Sequence, residues 1–268
     1  MHKYISILLL LVSNKCNSQL DKPITFEEKN KNQEAIIDKY VVNCAKTYSY
    51  ERELVEWQKC LDTGLEEDST VAYLWQQKAM PYFKAGKYEV GMAYLDKAVF
   101  YDEERWLSYR AFIKCIFAKT YREALTDFDR AIKIEGNSYV MDHTYNFHRA
   151  LCYLQLNEFE KAEAIFDEDI KDQVKRLGEA HFIDSFYYGL SKYEQGKWEE
   201  AIRAFDKTLK PYPTFAEVLY YKALCLARLN RFEEADLAWS DAVKNGALGN
   251  TFNESNSIYE KYPYQVRW

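Results

Sequence analysis

Along most of the chain one arrangement of large apolar, small and polar positions recurs. An aromatic residue is followed at +3 by a small residue, at +7 by a large apolar one and at +10 usually by another small one. The copies are Tyr88-Gly91-Leu95-Ala98, Tyr121-Ala124-Phe128-Ala131, Phe159-Ala162-Phe166-Asp169, Trp198-Ala201-Phe205-Thr208 and Phe232-Ala235-Trp239-Ala242, with a weaker one at Tyr50-Glu53-Trp57-Cys60. Offsets of three, seven and ten put the four side chains on one face of an α-helix. Small residues in that face let a neighbouring helix approach closely, and large ones fill the space between ridges. The five strong copies start 33, 38, 39 and 34 residues apart. Each unit must hold two helices, because a single helix of that length would run about 50 Å at 1.5 Å per residue.

The other helix of each unit precedes the aromatic. Nine residues before it stand Ala79, Phe112, Ala150, Gly189 and Ala223, four of them small, among apolar neighbours such as Trp75 and Tyr82. The turns between the two helices place Gly86, Asn157, Gly196 or Asn230 where a helix end favours a left-handed residue, and Lys119 takes that place in the remaining unit. In these residues the chain resembles the tetratricopeptide repeat family. Tyr193-Glu194-Gln195-Gly196-Lys197-Trp198-Glu199-Glu200-Ala201-Ile202, with Phe205 and Pro213, and Tyr82-Phe83-Lys84-Ala85-Gly86-Lys87-Tyr88 carry the resemblance most clearly. It extends over roughly residues 70–245, with a degenerate unit from about 33 to 65.

The resemblance implies an all-α fold: a right-handed solenoid of about six antiparallel helix pairs with a concave face. It also implies that ligand-facing side chains come from the first helices. That geometry puts Tyr73, Gln76, Met80 and Phe83 on the inner face, followed by Trp106, Tyr109, Ile113 and Phe117, then Phe147, then Phe186 and Tyr193, then Tyr220 and Arg228. Such an aromatic face suits an extended peptide or a partner helix. A one-residue slip of register would instead make this a catalogue of core residues. The family's clamp for a C-terminal carboxylate needs Lys, Asn and Arg at places that are largely apolar or aromatic here, so that clamp is not expected.

Several positions depart from the repeat. The third and fourth units carry insertions around Gly136-Asn137-Ser138 and Lys175-Arg176-Leu177-Gly178. Asp169 and Thr208 replace the small apolar residue, and Pro81 falls inside a predicted helix that it should kink. After Gly246 the pattern stops. Residues 246–268 hold a possible short helix over 254–262 and an aromatic end, Tyr264 and Trp268. They are expected to cap the last apolar face, as solenoids require, with docking on a partner as the alternative.

Composition narrows the partners. Aromatics reach 16%, with 23 Tyr, while Gly and Pro number only 9 and 5, which suits long helices joined by short turns. The net charge is −6 and Lys and Arg are dispersed, so nucleic acid is not an expected partner. Residues 1–18 read as a signal peptide: Lys3, an apolar run over 5–12, and small residues before a cleavage point at Gln19. A lipid anchor on Cys16 is the competing reading. Residues 19–32 form a linker and 33–245 the array. Cleavage would remove Lys3 and Lys15 but no acid, leaving 34 basic against 42 acidic residues and a net charge of −8. Of the five cysteines left, Cys44 and Cys60 could pair if their helices form one hairpin, although the repeat register puts them near opposite ends of it.

No catalytic motif is present, and neither a cofactor nor a metal site is expected. His143 and His148 are five apart and point to different sides of a helix, and His181 is distant in sequence. The acidic run Asp167-Glu168-Asp169 reads as a solvated face. The expectation is an exported, periplasmic or envelope-associated scaffold that holds a protein or peptide in a concave aromatic groove and is not an enzyme. A neutraliser of one toxin and a binder of glycan or cell-wall material are the alternatives.

Overall fold

The computed structural model describes residues 26–268. The signal segment, its cleavage point and Cys16 lie outside them. Twelve α-helices follow one another: α1 (Phe26–Ile37), α2 (Leu54–Glu67), α3 (Ala72–Lys84), α4 (Tyr88–Tyr101), α5 (Glu103–Ile116), α6 (Tyr121–Glu135), α7 (Tyr145–Gln155), α8 (Phe159–Leu177), α9 (Phe182–Glu194), α10 (Trp198–Leu209), α11 (Ala216–Arg228) and α12 (Phe232–Ala247). Consecutive helices form six antiparallel pairs, and each pair from α3–α4 onward packs on the next. Among the described residues no helix is long and apolar enough to cross a membrane.

The repeat pattern forms the core. At +7, Leu95, Phe128, Phe166 and Phe205 are fully buried, each contributing about 1.5–3 kcal/mol of burial. Such a side chain is held from both sides: Phe166 meets Phe147 of its own pair and Tyr187 of the next. Small residues make room for these rings. A Cβ on Gly189 would stand 2.4 Å from the Phe205 ring. All five turn residues adopt positive φ: Gly86, Lys119, Asn157, Gly196 and Asn230. α3 runs through Pro81 as a single helix.

The N-terminal unit is less regular. α1 begins at Phe26, inside the segment expected to be a linker, and continues into a π-turn (Asp38–Val42) and a 3₁₀ turn (Ala45–Thr47). These turns bend the chain back, so that Cys44 reaches Cys60 on α2 and the two form a disulfide, Cα–Cα 5.8 Å. The helix register alone placed them too far apart because it took the hairpin as unbroken.

The insertion before α7 is a β-hairpin. β1 (Tyr139–Val140) pairs antiparallel with β2 (His143–Thr144). Met141 and Asp142 turn with φ of 48° and 69°, as a two-residue turn matching strand twist requires. The second insertion lengthens α8 to 19 residues and ends at Gly178, which is left-handed.

The C-terminal segment departs from expectation. Only a 3₁₀ turn (Ser255–Ile258) forms within the stretch expected to be helical. The segment does not cap α12, where Phe232, Leu237 and Trp239 are 61%, 70% and 46% exposed. It covers only the last turn there, where the Trp268 ring lies on Gly246. The rest folds back along the first helices.

Candidate functional site

The first-helix face is filled by the protein's own C-terminus. The Ala216 amide donates to the Asn250 carbonyl at 2.9 Å, and the Phe252 amide donates to the Glu217 carboxylate at 3.1 Å. Phe252 and Tyr262 are buried against each other, rings 5.1 Å apart. Farther along, Glu260 accepts from Lys119 at 2.5 Å and from the Tyr88 hydroxyl. Burial alone would raise the Glu260 pKa, but these two donors outweigh it and the pKa is lowered. The segment then returns: the Tyr187 hydroxyl donates to the Pro263 carbonyl at 2.7 Å and Tyr221 to the Tyr264 carbonyl at 3.1 Å.

The residues expected to line an open groove are mostly enclosed. Phe147 and Phe186 are completely buried, and Phe83, Phe117, Trp106 and Gln76 nearly so. Tyr73, Tyr109, Tyr193 and Tyr220 are half-buried, and Arg228 is exposed. Most of this burial comes from helix packing. Phe186 sits among Tyr187, Phe205 and Phe215, and Trp106 stacks on Tyr73. The hydroxyls that hold the tail belong to Tyr187 and Tyr221, one residue beyond Phe186 and Tyr220. In the fourth and fifth complete units the assumed register is off by one.

A second site lies where the insertions meet. Asp169, expected on a solvated face, is 1% exposed. It accepts from Thr144 at 2.7 Å and Asn137 at 2.9 Å, both in the hairpin insertion, and from Gln173 at 3.0 Å in α8. Gln173 also donates to Asp184 at 2.6 Å, and its carbonyl accepts from the His181 amide at 3.1 Å. His143 lies between two carboxylates, Nδ1 2.9 Å from Asp184 and Nε2 3.1 Å from Glu254 of the tail. Burial would lower the His143 pKa, but the bonds to Asp184 and Glu254 raise it to about 9. Asp184 moves the opposite way: burial would raise it, and the hydrogen bond from His143 together with the nearby His181 ring lowers it. His148 faces the core against Phe128, and burial drops its pKa to about 3, which keeps it neutral.

A cleft of about 360 Å³ opens beside this cluster, lined in part by Tyr139, His181, Phe182, Lys207, Thr208 and Tyr212. Thus the hairpin, the extended α8, Asp169 and Thr208, read separately as irregularities, belong to one place. His143 and His181 are 38 residues apart, within one residue of the 39-residue step between the third and fourth units. In a solenoid, residues one period apart are neighbours, so the sequence did hold the signal that joins them.

The family profile described as tetratricopeptide repeat matches residues 119–173 and 189–247. Those two stretches belong to the tetratricopeptide-repeat family. Solved structures share the fold. A tetratricopeptide repeat protein from Parabacteroides merdae superposes with a TM-score of 0.63 at 15% identity, covering 83% of this chain and 81% of that one. PilW, a type IV pilus biogenesis factor, gives 0.59 at 15%, covering 80% and 91%. YrrB, described as having an unusual peptide-binding site, gives 0.52 at 17%, covering 70% and 93%. No curated protein matches the sequence. In this repeat protein the family pattern accounts for the helix pairs, and the tail and the insertion cluster are additions to it.

Proposed function

We propose that this protein is an exported, non-catalytic scaffold whose first-helix face binds a protein segment. The observation that carries the reading is the tail. The face holds a turn of polypeptide through bonds to its backbone, from Tyr187 to the Pro263 carbonyl and from Tyr221 to the Tyr264 carbonyl, the two central residues of a turn that the Gln265 amide closes on the Tyr262 carbonyl at 3.2 Å. Main-chain hydrogen bonds give a bound peptide segment its affinity, and the side chains packed beside them its specificity. The tail then marks the chemistry of a partner: a non-helical segment with aromatic and acidic side chains that takes its place. Peptide binding by YrrB, a structural neighbour, is in keeping with this.

Export rests on the apolar run after Lys3 and gains support from the Cys44–Cys60 disulfide, since such bonds persist in oxidising compartments. The glycan reading gains nothing from this face, whose rings are enclosed by helices and tail.

The test compares three baits in the cell envelope: mature chain, Lys119→Glu, and Tyr187→Ala with Tyr221→Ala. Lys119→Glu repels Glu260 and loosens the tail without touching the helix core. One envelope protein captured more strongly by Lys119→Glu, and lost from a still-helical double variant, supports the reading. Equal capture by all three removes the first-helix face as the binding surface.

A further inference from the structure

The expectation of no metal site rested on the spacing of His143 and His148. The fold pairs His143 with His181 instead, ring centroids 4.8 Å apart. We propose that His143, His181 and Asp184 form a binding site for a divalent transition-metal ion of the zinc class. One donor atom from each of the three lies within 4.8 Å of the others. The Asp184 Oδ1 is 2.9 Å from His143 Nδ1 and 3.7 Å from His181 Nδ1. Bonds of about 2.0–2.2 Å in a tetrahedron put ligand atoms about 3.3–3.5 Å apart, so these two distances bracket what a zinc ion needs.

Three further observations point to a ligand. The His181 Nδ1 is shut away from water and has no hydrogen-bond partner, which is costly for a polar atom. A protonated His143 between Asp184 and Glu254 satisfies His143 and leaves that nitrogen unpaired, whereas a metal ion satisfies both rings. Each of the other donors is held from behind. Glu254 takes the far nitrogen of His143, and Gln173, itself fixed on Asp169, holds the far oxygen of Asp184. Metal-ligating histidines and carboxylates carry such partners, which fix ring orientation and raise ligand basicity. Finally, the adjacent cleft leaves one side of the site open for water or a donor from a bound molecule.

Two imidazoles with one carboxylate favour zinc and its first-row neighbours over calcium or magnesium, which prefer oxygen. The placement assigns the ion a tethering role. His143 comes from β2, His181 and Asp184 from the start of α9, and Glu254 from the tail, so one ion ties two successive units and, through Glu254, the returning segment. This does not depend on the proposed function.

The test is calorimetric titration of tag-free full chain, stripped with a chelator, with zinc chloride alone. Cobalt(II) serves as a spectroscopic probe. One saturable zinc per chain is expected, with the intense visible absorption of a low-coordinate cobalt site. His181→Ala should lose affinity at least tenfold while its helicity and metal-free melting match the parent, because this side chain is half-buried and bonds nothing with its ring. Glu254→Gln should weaken binding about 10-fold or more. Absence of stoichiometric binding, or equal affinity in His181→Ala, overturns the proposal. Should His181→Ala prove unfolded, Asp184→Asn with the same cobalt readout decides it by the same criterion.

Discussion

The joint between the second and third complete units and the joint between the third and fourth use the same repeat position differently. At +10 of the second unit stands Ala131, 2% exposed, where the helices need only a small apolar side chain. At +10 of the third stands Asp169, 1% exposed, with three donors around its carboxylate. The space is equally closed in both. What differs is that Asn137 and Thr144 come from the hairpin insertion, and Gln173 from the last third of α8, just before its extended end. A buried carboxylate is tolerated only where partners satisfy it. The insertions and the polar core residue are therefore one feature, which the regular joint lacks.

Exchanging the two solutions should break the comparison. Ala131→Asp places a carboxylate where no donor is supplied, and a cost of about 3–5 kcal/mol is expected. That is a large part of the stability of an ordinary domain, so the melting transition should fall sharply or vanish. Asp169→Ala takes an acceptor from three donors, of which Thr144 and Gln173 are buried, for an expected loss of about 2–4 kcal/mol. Asp169→Asn, which keeps one oxygen, should fall between parent and Ala. Urea unfolding of the three variants checks the order. A neutral Asp169→Ala would mean that the network fills space without holding the joint.

The same contrast explains what could be read from the sequence. The helix pairs were legible because +3, +7 and +10 recur and because a left-handed residue marks each turn. The register of the first helices was not, because those helices are apolar on more than one side. Phe186 and Tyr187 are both fully buried, so no polar gap fixes which of them faces inward. The tail was read as a cap because nothing local announces its partners. Glu260 meets Tyr88 across 172 residues. Asp169 and Thr208 were visible as departures, but only the superposition of successive units brings Thr208 into the cleft and Asp169 behind its Thr144 and Gln173 wall.

The smallest expected effect concerns the outer edge of that joint. At +4 the second and fourth units carry Leu125 and Ile202, both buried, while the third carries Glu163. Its carboxylate accepts from Lys192 at 2.5 Å, Gln195 at 2.6 Å and Lys197 at 2.7 Å, linking α8 to α9 and the start of α10. Burial would raise its pKa; the bonds from Lys192, Lys197 and Gln195 outweigh this and lower it to about 2, against 4.5 for an ordinary glutamate. A depressed folded-state pKa means that the unfolded chain takes up the proton first. The stabilisation is thus complete above about pH 4.5 and is lost as the pH falls toward 2. It should amount to no more than about 1 kcal/mol at this partly solvated site. Glu163→Gln removes it, so the urea midpoints of parent and variant should differ near neutral pH, draw together below about pH 4.5 and converge only near pH 2. Leu125→Ala, at the apolar counterpart, should show a difference from the parent that stays level over the same range. If the Glu163→Gln gap also stays level, its cause is packing at the joint, and the contrast between the two solutions does not extend to its edge.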